Sequence, residues 1–195
     1  ILPFEVEFYK GYDYPVEYVG NPVLDSVMEI LEAPVSRKQF LERNGLEDRP
    51  LIALLAGSRR EEIKHCLPEM IAAAAEFPDY QFVIAGAPGI SRDIYAKYMG
   101  ATDVRIVFEQ TYELLMHSLA AVVTSGTATL ETALFRVPEV VVYKMGSLTY
   151  NIGKQFVKPE FFSLVNLIMG REVVTEIMQN RITDKISKKR FGILE

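Results

Sequence analysis

The sequence predicts an α/β protein built on a doubly wound parallel sheet. Short runs that are apolar at every position, such as "LIALLA" (51–56) and the "AAVV" (120–123) that opens "AAVVTS", recur along the chain. A strand without polar alternation is covered on both faces, as the strands of parallel sheets are. Between these runs lie segments with helical spacing and good start and stop residues. Strands alternating with helices through right-handed crossovers give a sheet with helices on both sides.

The elements follow in order. Pro3, Pro15, Pro22 and Pro34 punctuate the first 35 residues, read as an irregular lead-in with one short strand at "VEYVG" (16–20). "SRKQFLERNGL" is a helix, with Ser36 as N-cap and Gly45 as stop. "LIALLA" is a strand ending at Gly57-Ser58, and "RREEIKHCLPEMIAAAAEF" a helix broken or kinked near Pro68. "YQFVIAG" is a strand, "SRDIYAKYM" a helix with Ser91 as candidate cap, "VRIVFE" a strand and "TYELLMHSL" a helix. "AAVVTS" is a strand, "TATLETALFR" a helix and "EVVVYKM" a strand. "LTYNIGKQFV" and "REVVTEIMQN" are expected to be helical.

Composition narrows the function classes. The 195 residues fit one domain, or one plus an appendage, and 49% hydrophobic with 24% charged residues suits a globular core. Twenty-six acidic against 21 basic residues leave a net charge of −5, which argues against a general nucleic-acid binder. The lone Cys66 rules out an internal disulfide framework and suits a reducing compartment. No apolar run approaches the roughly 18 residues of a membrane span. The opening "ILPFEVEFYK" lacks the pattern of a secretory signal, and with the ending "KKRFGILE" it reads as part of something longer.

In doubly wound sheets ligands bind beyond the carboxyl ends of the strands. That points to the loops 57–60, 86–91, 108–112, 124–127 and 143–149. In "LLAGSRREE", Gly57 permits a sharp turn, Ser58 can cap the next helix, and helix-start amides with the Arg59 guanidinium attract phosphate. A capped helix with solvated arginines fits the same spacing. In "VTSGTATLE", Ser125, Thr127 and Thr129 offer hydroxyls and Gly126 lets a ligand approach the backbone. Glu131 is suited to accept hydrogen bonds from a ribose diol, though a Ser/Thr cap with an acid in the first turn fits equally. "GAPGIS" (86–91) is read as a plain loop.

The region from Tyr143 to Leu167 sets Lys144, Lys154 and Lys158 beside Tyr143, Tyr150, Phe156, Phe161 and Phe162. These fit an anionic lipid surface, or core aromatics with solvated lysines. Asn166, inside the apolar "SLVNLIMG", must either tie down backbone or touch ligand, because a buried amide is costly unless hydrogen-bonded. Neither a Walker A loop, GxGxxG, HExxH nor GxSxG occurs, so no nicotinamide or flavin fingerprint, metal site or serine elbow is expected. His65 and His117 are far apart, and Cys66 reads as a small core residue.

Six segments in order then resemble the lipid-A-disaccharide synthase family: "ILPFE…FY" (1–9), "YVGNPVLD" (18–25), "IALLAGSRREEI" (52–63), "SGTATLE" (125–131), "VVVYKM…LTY" (140–150) and "VKPEFFSLVNLIMGREVVTE" (157–176). The resemblance implies a two-domain glycosyltransferase of the GT-B type, of which this chain is the C-terminal, donor-nucleotide half. It implies a lead-in over 1–35, a Rossmann-like UDP-sugar-binding domain over 36–170 and a C-terminal helical segment over 171–195. The implied reaction moves 2,3-diacylglucosamine from its UDP ester to the 6-hydroxyl of 2,3-diacylglucosamine 1-phosphate with inversion, releasing UDP.

On the same resemblance Arg59 and Asn166 match family residues important for activity. Gly57, Ser58, Ser125, Gly126, Thr127, Glu131, Lys144 and Met145 are expected at the donor. The general base is expected in an absent N-terminal half, and no cofactor or metal is implied. The implied place of work is the cytoplasm, peripheral to the inner membrane, with a homo-oligomer left open. The chain departs from the family pattern at Val165, where proline is usual, at Gly20-Asn21, where Gly-His is common, and at Ala56, where proline is usual. Other readings stay open: another GT-B sugar-nucleotide enzyme, such as a UDP-GlcNAc epimerase or the muramyl-peptide glucosaminyltransferase, or a nucleotide-binding module without catalysis. "SLVNL" and "VKPEFF" weigh against the two named enzymes.

Overall fold

All five residues of β1 (Leu51–Leu55) are buried, which is why the strand carries no polar residue. A computed structural model of the chain describes residues 2–3, 5–144 and 161–178. Around β1 lie β2 (Gln81–Gly86), β3 (Arg105–Phe108), β4 (Ser118–Thr124), β5 (Glu139–Tyr143) and β6 (Thr175–Met178). Their order across the sheet is β3-β2-β1-β4-β5-β6, and every neighbouring pair is parallel. This is the doubly wound α/β fold that the alternation predicts, and its strand order reverses between β1 and β4.

Successive residues of a strand point to opposite faces, so one strand feeds two cores. Ile52 and Leu54 face a cluster with Ile63, Cys66, Leu67 and Met70 of α4 (Arg60–Ala74) and Tyr95 of α5 (Arg92–Met99). Leu51, Ala53 and Leu55 face the other cluster, with Phe40 and Leu41 of α3 (Arg37–Asn44) and Leu114 and Leu115 of α6 (Thr111–Met116). Each fully buried leucine or isoleucine contributes about 1.5–3 kcal/mol relative to an exposed one. The helix α7 (Ala128–Leu134) follows β4, and α8 (Leu164–Met169) precedes β6.

Ser36 and Gly45 bound α3 as expected. Ser36 Oγ accepts the Gln39 amide, the Gln39 side chain accepts the Ser36 amide, and Gly45 sits at φ 60°. Ser91 occupies the cap position of α5, but its hydroxyl makes no capping bond. Pro68 does not interrupt α4, which continues to Ala74. Its side chain is exposed, and the missing N–H costs the helix one bond without ending it.

Two expectations are corrected. The lead-in is not irregular: it carries α1 (Glu5–Lys10) and α2 (Pro22–Glu32), and "VEYVG" is not a strand. Asn21 caps α2 by accepting the Val23 amide at 3.0 Å, and Pro22 sits at the first helical position, where its missing N–H costs nothing. Residues 171–178, expected to be helical, contain β6, the edge strand of the same sheet. The helix expected over 148–157, the end of "REVVTEIMQN" and Met145 lie outside the described residues.

Candidate functional site

Leu55 of β1 pairs with Val123 of β4, so the loops after these strands leave the sheet side by side where the strand order reverses. The first loop holds Gly57, Ser58 and Arg59, the second Ser125, Gly126 and Thr127. Gly57 turns the chain at φ 102°, in the left-handed region that favours glycine. The amides of Ser58 and Arg59 do not point to open space. The Glu62 carboxylate accepts both, at 2.9 and 3.2 Å, and Arg59 Nη1 lies 3.2 Å from its other oxygen. Ser58 is therefore not the cap of α4. Glu62 does that work from the first turn, and the Arg59 side chain is 82% exposed.

The second loop is tied from two sides. The Ser125 amide donates to Val142 of β5 at 3.0 Å, and its hydroxyl donates to the Phe162 carbonyl at 2.6 Å. The hydroxyl of the buried Thr129 is spent on the Gly126 carbonyl at 2.9 Å. Thr127 is exposed and takes no capping role. The amides of Gly126, Thr127 and Ala128 make no hydrogen bond among the described residues.

Glu131 stands in the first turn of α7 and is half-buried. Burial raises its carboxyl above the ordinary range, and a hydrogen bond from Tyr112 on α6 offsets part of that rise. Tyr112 is raised in turn, first by burial and then by the Glu131 charge. The β4–α7 and β3–α6 loops thus meet at a carboxylate and a phenol. Tyr112 was not singled out from the sequence, because its neighbour is 19 positions away on another helix.

Lys144, at the end of β5, is partly buried and its ammonium lies 2.5 Å from Glu69 on α4. Burial raises the Cys66 thiol, which suits a core residue rather than a nucleophile. Thr124, the last residue of β4, is 3% exposed, and beyond the Cys66 thiol its hydroxyl has no hydrogen-bond partner among the described residues.

Asn166 is fully buried, and its amide is committed. Nδ2 donates to the Val174 carbonyl at 2.9 Å and to Glu176 Oε1 at 2.8 Å, while Oδ1 accepts the amides of Val173 and Val174 at 2.8 and 3.0 Å. Both donors and both lone pairs are used. Of the two tasks the sequence allowed it, Asn166 here performs the tying of backbone. Val165, where proline is usual in the resembling family, is buried in α8.

"GAPGIS" is packed at its start and exposed at Pro88, Gly89 and Ser91. A side chain at Gly86 would collide with the Phe108 ring, and the Ala87 amide donates to Tyr95 Oη at 2.8 Å. Among the described residues no cluster of His, Cys, Asp and Glu could hold a metal ion, and no helix is long and apolar enough to cross a membrane.

The lipid-A-disaccharide synthetase family profile matches residues 1–193. A lipid-A-disaccharide synthase of Myxococcus xanthus is 43% identical over 190 residues, covering 94% of this chain and 49% of the relative. One from Persephonella marina is 36% identical over 194 residues, covering 92% of this chain and 50% of that protein. The chain spans about half the length of the curated relatives it matches. Among solved structures, the family 9 glycosyl transferase from Veillonella parvula aligns with a TM-score of 0.48 at 12% identity, over 91% of this chain and 46% of that one.

Proposed function

Because the chain belongs to the lipid-A-disaccharide synthetase family, we propose that it forms the donor-nucleotide half of an inverting, GT-B-type glycosyltransferase. The whole protein would join UDP-2,3-diacylglucosamine to 2,3-diacylglucosamine 1-phosphate and release UDP. The observation that carries the reading is the placement of Glu131. It is a half-buried carboxylate in the first turn after the strand at which the sheet order reverses, beside the Tyr112 hydroxyl. A ribose diol that replaces water there gives the carboxylate two hydrogen-bond donors and so favours its charged form. The amides of Gly126 and Thr127 lie close by in sequence, on the loop that would receive the diphosphate.

The departing UDP carries the negative charge that develops as the glycosidic bond breaks. Preorganised amides and the Arg59 guanidinium would stabilise it electrostatically. Arg59 is exposed and, among the described residues, held only by Glu62, so it can swing to a phosphate at the cost of one surface ion pair. The bonds of Glu62 to the Ser58 and Arg59 amides make the 125–128 loop the better phosphate seat of the two. Lys144 and Met145 complete the proposed donor set. The base that deprotonates the acceptor hydroxyl belongs to residues outside this chain, in an N-terminal domain facing the crevice. With lipid substrates, the protein would work from the cytoplasm at the inner-membrane surface.

The test is a UDP titration followed by calorimetry or by amide shifts. UDP is expected to bind weakly, and Glu131→Ala to weaken it further. No response to millimolar UDP would sink the donor-domain reading.

A further inference from the structure

We propose that Glu176 is a positioning residue for the donor loop, acting on Ser125 through the backbone of Phe162 and Ser163. The proposal rests on the donor-site reading for its functional consequence and on geometry for its mechanism. Glu176 lies on β6, the edge strand, where it pairs in register with Val141. Its neighbour Ile177 enters the core shared with α4, so Glu176 points to the opposite face, where α8 packs. There its carboxylate collects three donors: the Phe162 amide at 3.0 Å, the Ser163 amide at 2.9 Å and Asn166 Nδ2 at 2.8 Å.

Those bonds fix one short segment. Ser163 is fully buried and its hydroxyl accepts the Asn166 amide at 3.2 Å, starting α8. Asn166 holds Val173 and Val174, the residues that lead into β6, and so closes the ring back to Glu176. The product of this ring is the fixed carbonyl of Phe162, which accepts the Ser125 hydroxyl at 2.6 Å. Ser125 is the first residue of the loop that follows β4. Without the Glu176 carboxylate, two backbone amides lose their acceptor and the Phe162 carbonyl loses its fixed place. Among the described residues, Ser125 is then held on one side only, by its amide bond to Val142. A half-buried acid on an edge strand that gathers three donors from one short segment is explained by this task.

The full-length protein is titrated with UDP as wild type, Glu176→Gln, Ser125→Ala and the double variant, and hydrogen exchange of the ligand-free forms is followed across residues 125–130. Glu176→Gln keeps the volume but turns one acceptor into a donor. It is expected to speed exchange at 125–130 and to weaken UDP about fivefold or more, yet to weaken it less than about twofold once Ser125 is already alanine. Additive effects on UDP affinity, or exchange at 125–130 unchanged by Glu176→Gln, would overturn the proposal. If Glu176→Gln does not fold, Ser125→Ala alone must speed exchange at 161–163, and its failure to do so overturns the proposal equally. A wild type that ignores UDP condemns the donor-site reading instead, and the exchange data still decide whether Glu176 controls the Ser125 loop.

Discussion

A side chain on Gly57 would collide with Glu62: its Cβ would lie 2.5 Å from Oε2 and 2.6 Å from the Cβ of Glu62. The glycine and the glutamate are one device. The first removes its side chain so that the second can reach back and take two amides at the start of α4. Gly57→Ala therefore meets a clash and a φ of 102° together, and is expected to cost about 1–3 kcal/mol in a urea unfolding titration. Glu62→Ala, which leaves the turn intact, is expected to cost about 1 kcal/mol, the size of a lost helix cap. A Gly57→Ala variant as stable as the wild type would show that the turn accommodates a side chain beside Glu62.

Glu139 opens β5 with a carboxyl that is 5% exposed and has no hydrogen-bond partner among the described residues. Burial pushes its pKa from 4.5 to about 9. The folded chain thus holds a proton that the unfolded chain releases at mildly acid pH, so the native state binds more protons between those values. Stability from this group is complete below the unfolded value and is lost as pH rises towards the folded one. Unfolding at a series of pH values should show stability declining from pH about 5 to pH about 9. Glu139→Gln should flatten that decline and stabilise the protein by about 1–3 kcal/mol at neutral pH. A slope unchanged by the substitution would show that Glu139 is charged in the folded chain.

The central strands were legible because burial on both faces leaves an apolar run that nothing else in the chain mimics. β6 was not legible. It is an edge strand in which only Ile177 is buried, so "TEIM" shows neither alternation nor a continuous run, and its Glu and Met read as helix formers. α2 was hidden by counting Pro22 as punctuation when Asn21-Pro22 is a cap followed by a proline at the first helical position. In the site, Gly57, Ser125, Gly126 and Glu131 could be found because they follow strands that were themselves visible. Glu62 carried a local signal, an acid three residues after a helix boundary, the spacing from which a side chain reaches back to the helix start. Glu176 and Tyr112 carried none, because each acquires its role from a partner on another element.

Glu131 should impose a pH dependence on UDP affinity. Its carboxyl is raised by burial, so the ligand-free protein keeps it protonated above the usual carboxylate range. A ribose diol donating two hydrogen bonds favours the ionised form. UDP affinity should therefore rise as pH rises through that range and level off above it, and Glu131→Gln should remove the rise. Calorimetry across the mildly acidic range checks this. A pH-independent affinity in the wild type would mean that the carboxylate does not meet the ribose.

Arg59 and Asn166 share a sequence-level expectation of importance for activity, but their surroundings separate the ways in which they can matter. Arg59 is largely exposed and, among the described residues, tied to Glu62 alone, so Arg59→Ala should leave the unfolding midpoint where it is while lowering the transfer rate of the full-length protein about tenfold or more. Asn166→Ala leaves the part-buried amides of Val173 and Val174 without their acceptor and should cost about 2–4 kcal/mol, lowering activity through stability and through the Ser125 loop. Asn166→Asp sharpens the contrast, because it keeps the shape and the oxygen that accepts both backbone amides but sets a carboxylate oxygen where Nδ2 stood, 2.8 Å from Glu176 Oε1 and 2.9 Å from the Val174 carbonyl. Two acids at that distance do not both ionise readily, so one takes a proton. The destabilisation of Asn166→Asp should shrink as pH falls, whereas that of Asn166→Ala should not change. Parallel pH profiles for the two variants would show that the Asn166–Glu176 bond is absent from the folded protein.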